Sequence, residues 1–206
     1  MNTASQLGLL LGVLTLGLAS PGPDFFVVMR NSVGATRARG LATAAGIVAG
    51  LCVHTCAIAF GMGVMSDVVV QALSLAGAAF LGWLGVRALA TAPVAAPESG
   101  GAVERRSNES AFLEGLVCNL TNPKAFFFFL GVFAQVVPPA AGLGWRIALP
   151  VVVVVHGAVC WSLIVLALQS GPVSRRLARA QRWLPRVFGA ALVGFAALVV
   201  VEQLRV

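Results

Sequence analysis

The sequence predicts an all-α polytopic membrane protein: six transmembrane helices arranged as two inverted three-helix repeats, with helices one and four broken at prolines. Three observations carry this expectation. The chain of 206 residues is 59% hydrophobic and only 10% charged, with a mean hydropathy of +0.94. A soluble domain is nearer half apolar and a quarter charged. The apolar residues gather into runs of about 20, the length that crosses a bilayer as a helix. The second half of the chain then repeats, in order, the unusual residues of the first.

The expected spans are residues 6–29, 41–65, 68–90, 112–137, 146–169 and 187–201, the last being the shortest. Residues 1–90 form the first repeat, 91–111 a cytoplasmic linker and 112–206 the second repeat, together one integral membrane domain. Helices are the expected spanning element, because lipid offers no partner to a bare amide or carbonyl. The "VVVVV" run at 151–155 has high strand propensity, but its long apolar surroundings favour a helix. The first span is expected to remain in the mature chain. Residues 1–6 hold no Lys or Arg, and Pro21 follows the small pair Ala19-Ser20.

Span one contains "ASPGPDFFVV", so proline, glycine and a carboxylate interrupt an apolar run. Proline inside a helix removes a donor and clashes with the preceding turn, at about 3 kcal/mol or more. In a first turn it costs little, and Ser or Asn just before it caps a new helix. Ser20-Pro21 is therefore expected to end one half-helix and start another, with Ser20 as the cap and Asp24 as the charge that follows. Span two carries His54 and Cys56; span three is rich in Gly and Ala. The segment 91–110, with Pro, Gly, Ser and mixed charge, reads as a flexible loop.

Span four contains "LTNPKAFFFF", in which Asn122, Pro123 and Lys124 echo the first break. Span five carries His156 and Cys160, and span six is again rich in Gly and Ala. A unit of three spans is odd, so its second copy enters the membrane upside down. The two new half-helices then point their positive N-terminal ends into the interior, a place for an anionic group. Asp24 lies about 9 Å from Arg30 and Lys124 about 15 Å from Glu114 along a helix, depths that fit strict two-fold symmetry poorly.

Charges inside spans mark a pathway, or pair with one another for structural reasons. Asp24 and Lys124 are open to both readings. His54 and His156 serve equally as proton or substrate contacts and as packing residues. Asn119, one turn before the second break, is expected to line a cavity. Gly8-x-x-x-Gly12, Gly46-x-x-x-Gly50 and Ala190-x-x-x-Gly194 allow close helix approach. Cys52, Cys56, Cys118 and Cys160 fall within spans and form no C-x-x-C pair, so each is expected to behave as a small apolar residue.

The net charge of +7 is a topology signal more than a nucleic-acid footprint. Arg30, Arg37, Arg39, Arg87, Arg105, Arg106, Arg175, Arg176, Arg179, Arg182 and Arg186 fall at three connections, against Arg146 and Arg205 on the other side. The positive-inside rule puts those connections in the cytoplasm and both termini outside.

"SPGPDFFVV", "RNSVGATRARGLATAAGIVAGLCVH" and "NLTNPKAFFFFLGVFAQ" resemble the LysE/RhtB family of bacterial amino-acid exporters. The likeness covers nearly the whole chain and weakens in the linker and after Gln169. Gly34 to Leu41 matches the family's Gly-Leu loop with looser spacing, and Ala134 stands where relatives often have proline. The motif positions carried over are Pro21, Gly22, Pro23, Asp24, Gly40, Gly46, Asn122, Pro123 and Lys124. The resemblance implies a multi-pass inner-membrane secondary transporter. It would export small amino acids or derivatives of the homoserine, homoserine lactone, threonine or leucine type, driven by the proton or an ion gradient. Its expected partners are the lipid bilayer, a small amino-acid-like substrate and a coupling proton or ion; it leaves room for a homo-oligomer and includes no nucleic acid and no cofactor.

The expected transport residues are Ser20, Pro21, Gly22, Pro23, Asp24, His54, Asn119, Asn122, Pro123, Lys124 and His156. The alternative is a metal-ion exporter using in-membrane His and Cys ligands, although these ligands sit singly. An enzyme is not expected. A thiol–disulfide carrier wants a reactive Cys pair, a hydrolase wants a nucleophile beside its base, and neither pattern is present.

Overall fold

The computed structural model describes residues 3–20, 22–33, 35–62, 65, 67–90, 107–136, 142–170 and 183–203. Among them are eight helices and no strand. These are α1 (Thr3–Ala19), α2 (Pro23–Ser32), α3 (Arg37–Gly61), α4 (Asp67–Ala90), α5 (Asn108–Thr121), α6 (Pro123–Val136), α7 (Leu143–Gln169) and α8 (Leu184–Gln203). The helix α5 begins inside the stretch expected as linker, because Ser107 caps it by accepting from the Ser110 amide. The rest of that linker, the Arg-rich 171–182 stretch and Pro21 lie outside the described residues.

Among the described residues, three helices are long and apolar enough to cross a membrane: Arg37–Gly61, Gln71–Ala90 and Leu143–Gln169. Two further spans qualify only as bent pairs. Leu10–Ala19 with Pro23–Ser32 bends by 60°, and Asn108–Thr121 with Pro123–Ala134 by 59°. The sixth expected span coincides with α8, whose apolar part, Pro185–Leu198, is shorter. Both bends fall at the proline motifs, where a helix loses a donor and changes direction.

The helix α7 shows why hydropathy alone hid the packing. It is apolar all round, so it has no polar face to mark the outside. Val153, Gly157, Trp161, Val165 and Leu168 are buried, while Val151, Val155, Val159 and Leu163 are exposed on the opposite side. Similar outward stripes occur on α4 (Trp83, Val86) and α5 (Leu113, Val117). Large apolar residues facing out along several helices suit a hydrocarbon solvent. Inside, Leu14, Leu51, Leu81, Phe133 and Leu192 belong to one cluster, and Phe25, Val28, Ile47, Trp161 and Val165 to another.

Helix α3 packs on α5 and α7, α4 on α6 and α8, and α1 on α7 and α8. The α3–α5 contact is the closest in kind. A Cβ on Gly46 would overlap the Phe112 carbonyl oxygen, and one on Gly115 the Thr43 carbonyl oxygen. Gly50 meets the side chain of Asn119 on the same seam. Gly8, Gly12 and Gly194 face open space, so only the Gly46-x-x-x-Gly50 spacing among the three expected serves close approach.

Candidate functional site

The first break is built differently from its expected form. Helix α1 ends with the Ser20 amide donating to the Leu16 carbonyl at 3.0 Å. The new helix is capped at Gly22, which is extended (φ −177, ψ 179) and makes no side-chain cap bond, with Pro23 in the first turn. Ser20 is therefore not the cap. Gly22 precedes Pro23, and a residue before proline is pushed out of the helical region, which sets the cap one step from the helix start. The second break follows expectation. The Asn122 amide donates to the Asn119 carbonyl at 3.1 Å, and Asn122 Oδ1 accepts from the Lys124 amide at 3.1 Å. One residue, Asn122, thus closes α5 through its backbone amide and opens α6 at Pro123 through its side-chain oxygen.

Both breaks border one cavity of about 40 Å³, space for roughly two or three waters. Ser20, Gly22 and Asp24 line it from the first break, and Asn119, Asn122 and Lys124 from the second. Ile47, Leu51, Phe128, Phe129 and Trp161 close it with apolar surface. The first turns of α2 and α6 thus both reach the cavity, each with the positive end of its dipole.

Asp24 Oδ2 accepts from Asn119 Nδ2 at 2.9 Å, and Asp24 Oδ1 from the Cys118 thiol at 3.4 Å. Cys118 is therefore a donor to the site's carboxylate and not merely an apolar filler. His54 is buried and its Nε2 lies 3.1 Å from the Asn119 carbonyl oxygen. A carbonyl only accepts, so Nε2 carries the proton. His54 thus acts on the cavity through Asn119, with its ring edge against Phe126 at 5.6 Å between centroids.

Lys124 Nζ lies 4.8 Å from the centre of the Phe188 ring and 3.4 Å from where a Cβ on Gly22 would stand. A larger residue at 22 would press on the ammonium. Among the described residues no ion pair joins Lys124 to Asp24, although both line the cavity.

His156 is not brought to the cavity. Its Nε2 lies 3.0 Å from Thr15 Oγ1 and 3.5 Å from the Cys160 sulfur. The Thr15 hydroxyl already donates to the Leu11 carbonyl at 2.8 Å, so it accepts from His156. Pro23 and Pro123 open α2 and α6.

Sequence reasoning missed Trp161, which is 1% exposed and lines the cavity. A signal was available. Trp is enriched at membrane interfaces, yet this one stands about 12 Å inside α7 from its end at Gln169.

One end of the site carries a polar network. Arg30 pairs with Glu114, and Asn31 Nδ2 donates to Glu114 Oε2 at 3.0 Å. Arg39, expected as one of the charges of the connection between spans one and two, is buried and donates from Nε (3.0 Å) and Nη2 (2.8 Å) to Asn31 Oδ1. Arg37 Nε reaches Gln169 Oε1 at 3.3 Å. The ends of α2 and α7, the start of α3 and the first half of α5 are thereby joined.

A family model described as LysE type translocator matches residues 15–203. The threonine efflux protein of Escherichia coli (strain K12) is 29% identical over 196 residues, covering 91% of this chain and 94% of the relative. That of Salmonella typhi is 27% identical over 194 residues, with the same coverage. The homoserine/homoserine lactone efflux protein of Salmonella typhi is 30% identical over 128 residues, 61% of each chain. No solved structure gives a significant match.

Proposed function

Because this chain belongs to the LysE type translocator family, and is a transporter rather than an enzyme, we propose that it exports small zwitterionic amino acids or their derivatives across the inner membrane. The observation that carries the reading is the pair of opposite charges, unpaired with each other, on the wall of one cavity where two helix breaks meet. Asp24 receives the substrate's α-ammonium. Lys124, with the first turns of α2 and α6, receives the α-carboxylate. A substrate that bridges the two charges replaces water at both, which is how a desolvated site repays the burial of ions. The efflux proteins among the relatives name threonine, homoserine and homoserine lactone as cargo, and these set the expected size class.

The cavity of about 40 Å³ is too small for such a cargo alongside its waters. Substrate therefore enters in a wider state. The proton or an ion gradient drives the cycle. A potential of 100 mV supplies about 2.3 kcal/mol per charge, roughly a fiftyfold gradient at 1.4 kcal/mol per factor of ten.

Two inverted three-helix repeats, 1–90 and 112–206, suit this cycle. The bends of 60° and 59° support them. So does the reciprocity of the histidines. His54 of α3 touches α5 before the second break, and His156 of α7 touches α1 before the first. Helix α8 then takes the sixth place, opposite α4. The Arg-rich connections face the cytoplasm and the termini lie outside. The Arg30–Glu114–Asn31–Arg39 network then sits at the cytoplasmic end and holds that mouth shut.

The metal-ion reading lacks a site: among the described residues no three of His, Cys, Asp and Glu gather to hold a metal. Efflux of amino acids from loaded cells, with and without the protein, tests the proposal. Unchanged efflux for both Asp24→Asn and Lys124→Gln refutes the site.

A further inference from the structure

Among the described residues Lys124 forms no ion pair with Asp24, although the two opposite charges line the same cavity. A lysine ammonium is a compact charge on a flexible four-carbon stem. Away from bulk water its attraction to a carboxylate is strong. Something must therefore hold it elsewhere. Its Nζ lies 4.8 Å from the centre of the Phe188 ring. The face of such a ring is the negative part of a quadrupole and attracts a cation within about 6 Å.

The berth for this ammonium is built. Gly22, at the first break, leaves the lysine room: a Cβ there would stand 3.4 Å from Nζ and 3.7 Å from Cδ, so a longer side chain would fall on the stem. Phe188 is buried and is not one of the residues that line the cavity. Phe128, which does line it, packs on Phe188 with 6.3 Å between ring centroids. The next residue fixes the height of α8. A Cβ on Gly189 would stand 2.6 Å from the Gly85 carbonyl oxygen of α4. Backbone meets backbone there, so Phe188 has little freedom to slide along the helix axis.

We infer that Phe188 is a positioning residue for transport: its ring holds the Lys124 ammonium against the wall of the empty site, so that Asp24 stays open to the substrate's ammonium. This rests on the reading of the cavity as the site of an exported zwitterion. Without the ring's attraction, Lys124 turns to Asp24 and the site pairs with itself. A substrate then has to displace an internal ion pair, and its apparent affinity falls with the fraction of molecules in which the two charges are apart. Steps after binding are unchanged, because the arriving carboxylate takes Lys124 from either partner. Helix α8, which contributes no residue to the cavity wall, thereby acts on the site through Lys124.

The experiment replaces Phe188 in the full-length protein by mono-, di- and trifluorophenylalanine, which withdraw charge from the ring face and keep its shape. Transport of labelled L-threonine and L-homoserine is measured in proteoliposomes. KM is expected to rise with each added fluorine, to about tenfold for the trifluoro ring, the scale of a desolvated cation–π contact. The accompanying kcat is expected to stay within about twofold. A KM that is flat across the series overturns the inference. So does a loss carried by kcat alone, which is what a packing role would give. Lys124→Gln and Asp24→Asn separate this inference from the reading beneath it. If both abolish transport while the fluorinated series is flat, the site stands and the role of Phe188 falls. If both leave transport unchanged, or if the wild type moves neither amino acid, the site falls and the inference with it.

Discussion

Asn119 donates its side-chain amide to the Asp24 carboxylate at 2.9 Å, tying the half-helix before the second break to the first turn of the half-helix after the first break. The same residue offers its backbone carbonyl to His54 and closes α5 against Asn122. One asparagine therefore sets the position of the site's negative charge. Its removal is expected to unseat Asp24 without changing any charge. Asn119→Ala should lower efflux at least tenfold, measured as release of labelled threonine from preloaded cells. An efflux within a factor of two of wild type would count against this role.

The two charges are expected to be individually necessary. Lys124→Gln keeps much of the side chain's bulk and removes the ammonium; Asp24→Asn does the same for the carboxylate. Each is expected to reduce efflux more than tenfold, since an unpaired buried charge or a missing partner for the zwitterion costs several kcal/mol. Restoring efflux by exchanging the two, Asp24→Lys with Lys124→Asp, is not expected, because the Asn119 amide and Cys118 thiol are donors suited to a carboxylate at 24.

The histidines are expected to differ. His54 holds the Asn119 carbonyl beside the break, so His54→Ala should reduce efflux about three- to tenfold, the size of one buried hydrogen bond. His156 bonds Thr15 away from the cavity. His156→Ala should leave efflux within about twofold. Equal losses for the two variants would contradict the assignment.

The polar network at the α2–α3 end is expected to control access. Its ion pair is partly exposed, with side-chain exposures of 61% for Arg30 and 23% for Glu114, so its worth is at most about 1 kcal/mol. Glu114→Gln should raise the labelling rate of Cys118 by a hydrophilic maleimide about two- to fivefold. The other three cysteines are replaced by alanine in this test. No change in rate would mean the network does not guard the cavity.

Glycine replacements separate packing from open surface. Gly115→Ala sets a methyl against the Thr43 carbonyl and should cost about 1–3 kcal/mol. That is a fall of several degrees in the melting temperature in detergent. Gly12 has nothing within 4 Å. There alanine is expected to be neutral or stabilising by up to about 1 kcal/mol, through its better helix propensity.

Much of this arrangement is legible in the residues themselves. Length and hydropathy locate the helices, and proline with a neighbouring charge locates both bends. What hydropathy leaves out is rotation. On a helix that is apolar all round, nothing in the order of residues says which side meets lipid. The placement of His156 against Thr15, away from the cavity, is for this reason not readable from the order of residues. Arg39 reads as a charge of the connection because its partner Asn31 lies across a turn, and burial of an Arg depends on that partner being in place. At the first break, Pro21 and Pro23 compete for the same role. A pattern of two prolines cannot say which opens the helix, whereas Asn122-Pro123 leaves a single choice.

The meeting of Gly46 with the Phe112 carbonyl, and of Gly115 with that of Thr43, has a kinematic consequence. Main chain lies directly on main chain, so no side group between α3 and α5 is free to swivel or slip. The two helices travel as one lever. Any swing of the remaining parts must be taken up where α1 gives way to α2 and α5 to α6, and those two joints are the corners at which Asp24 and Lys124 are mounted.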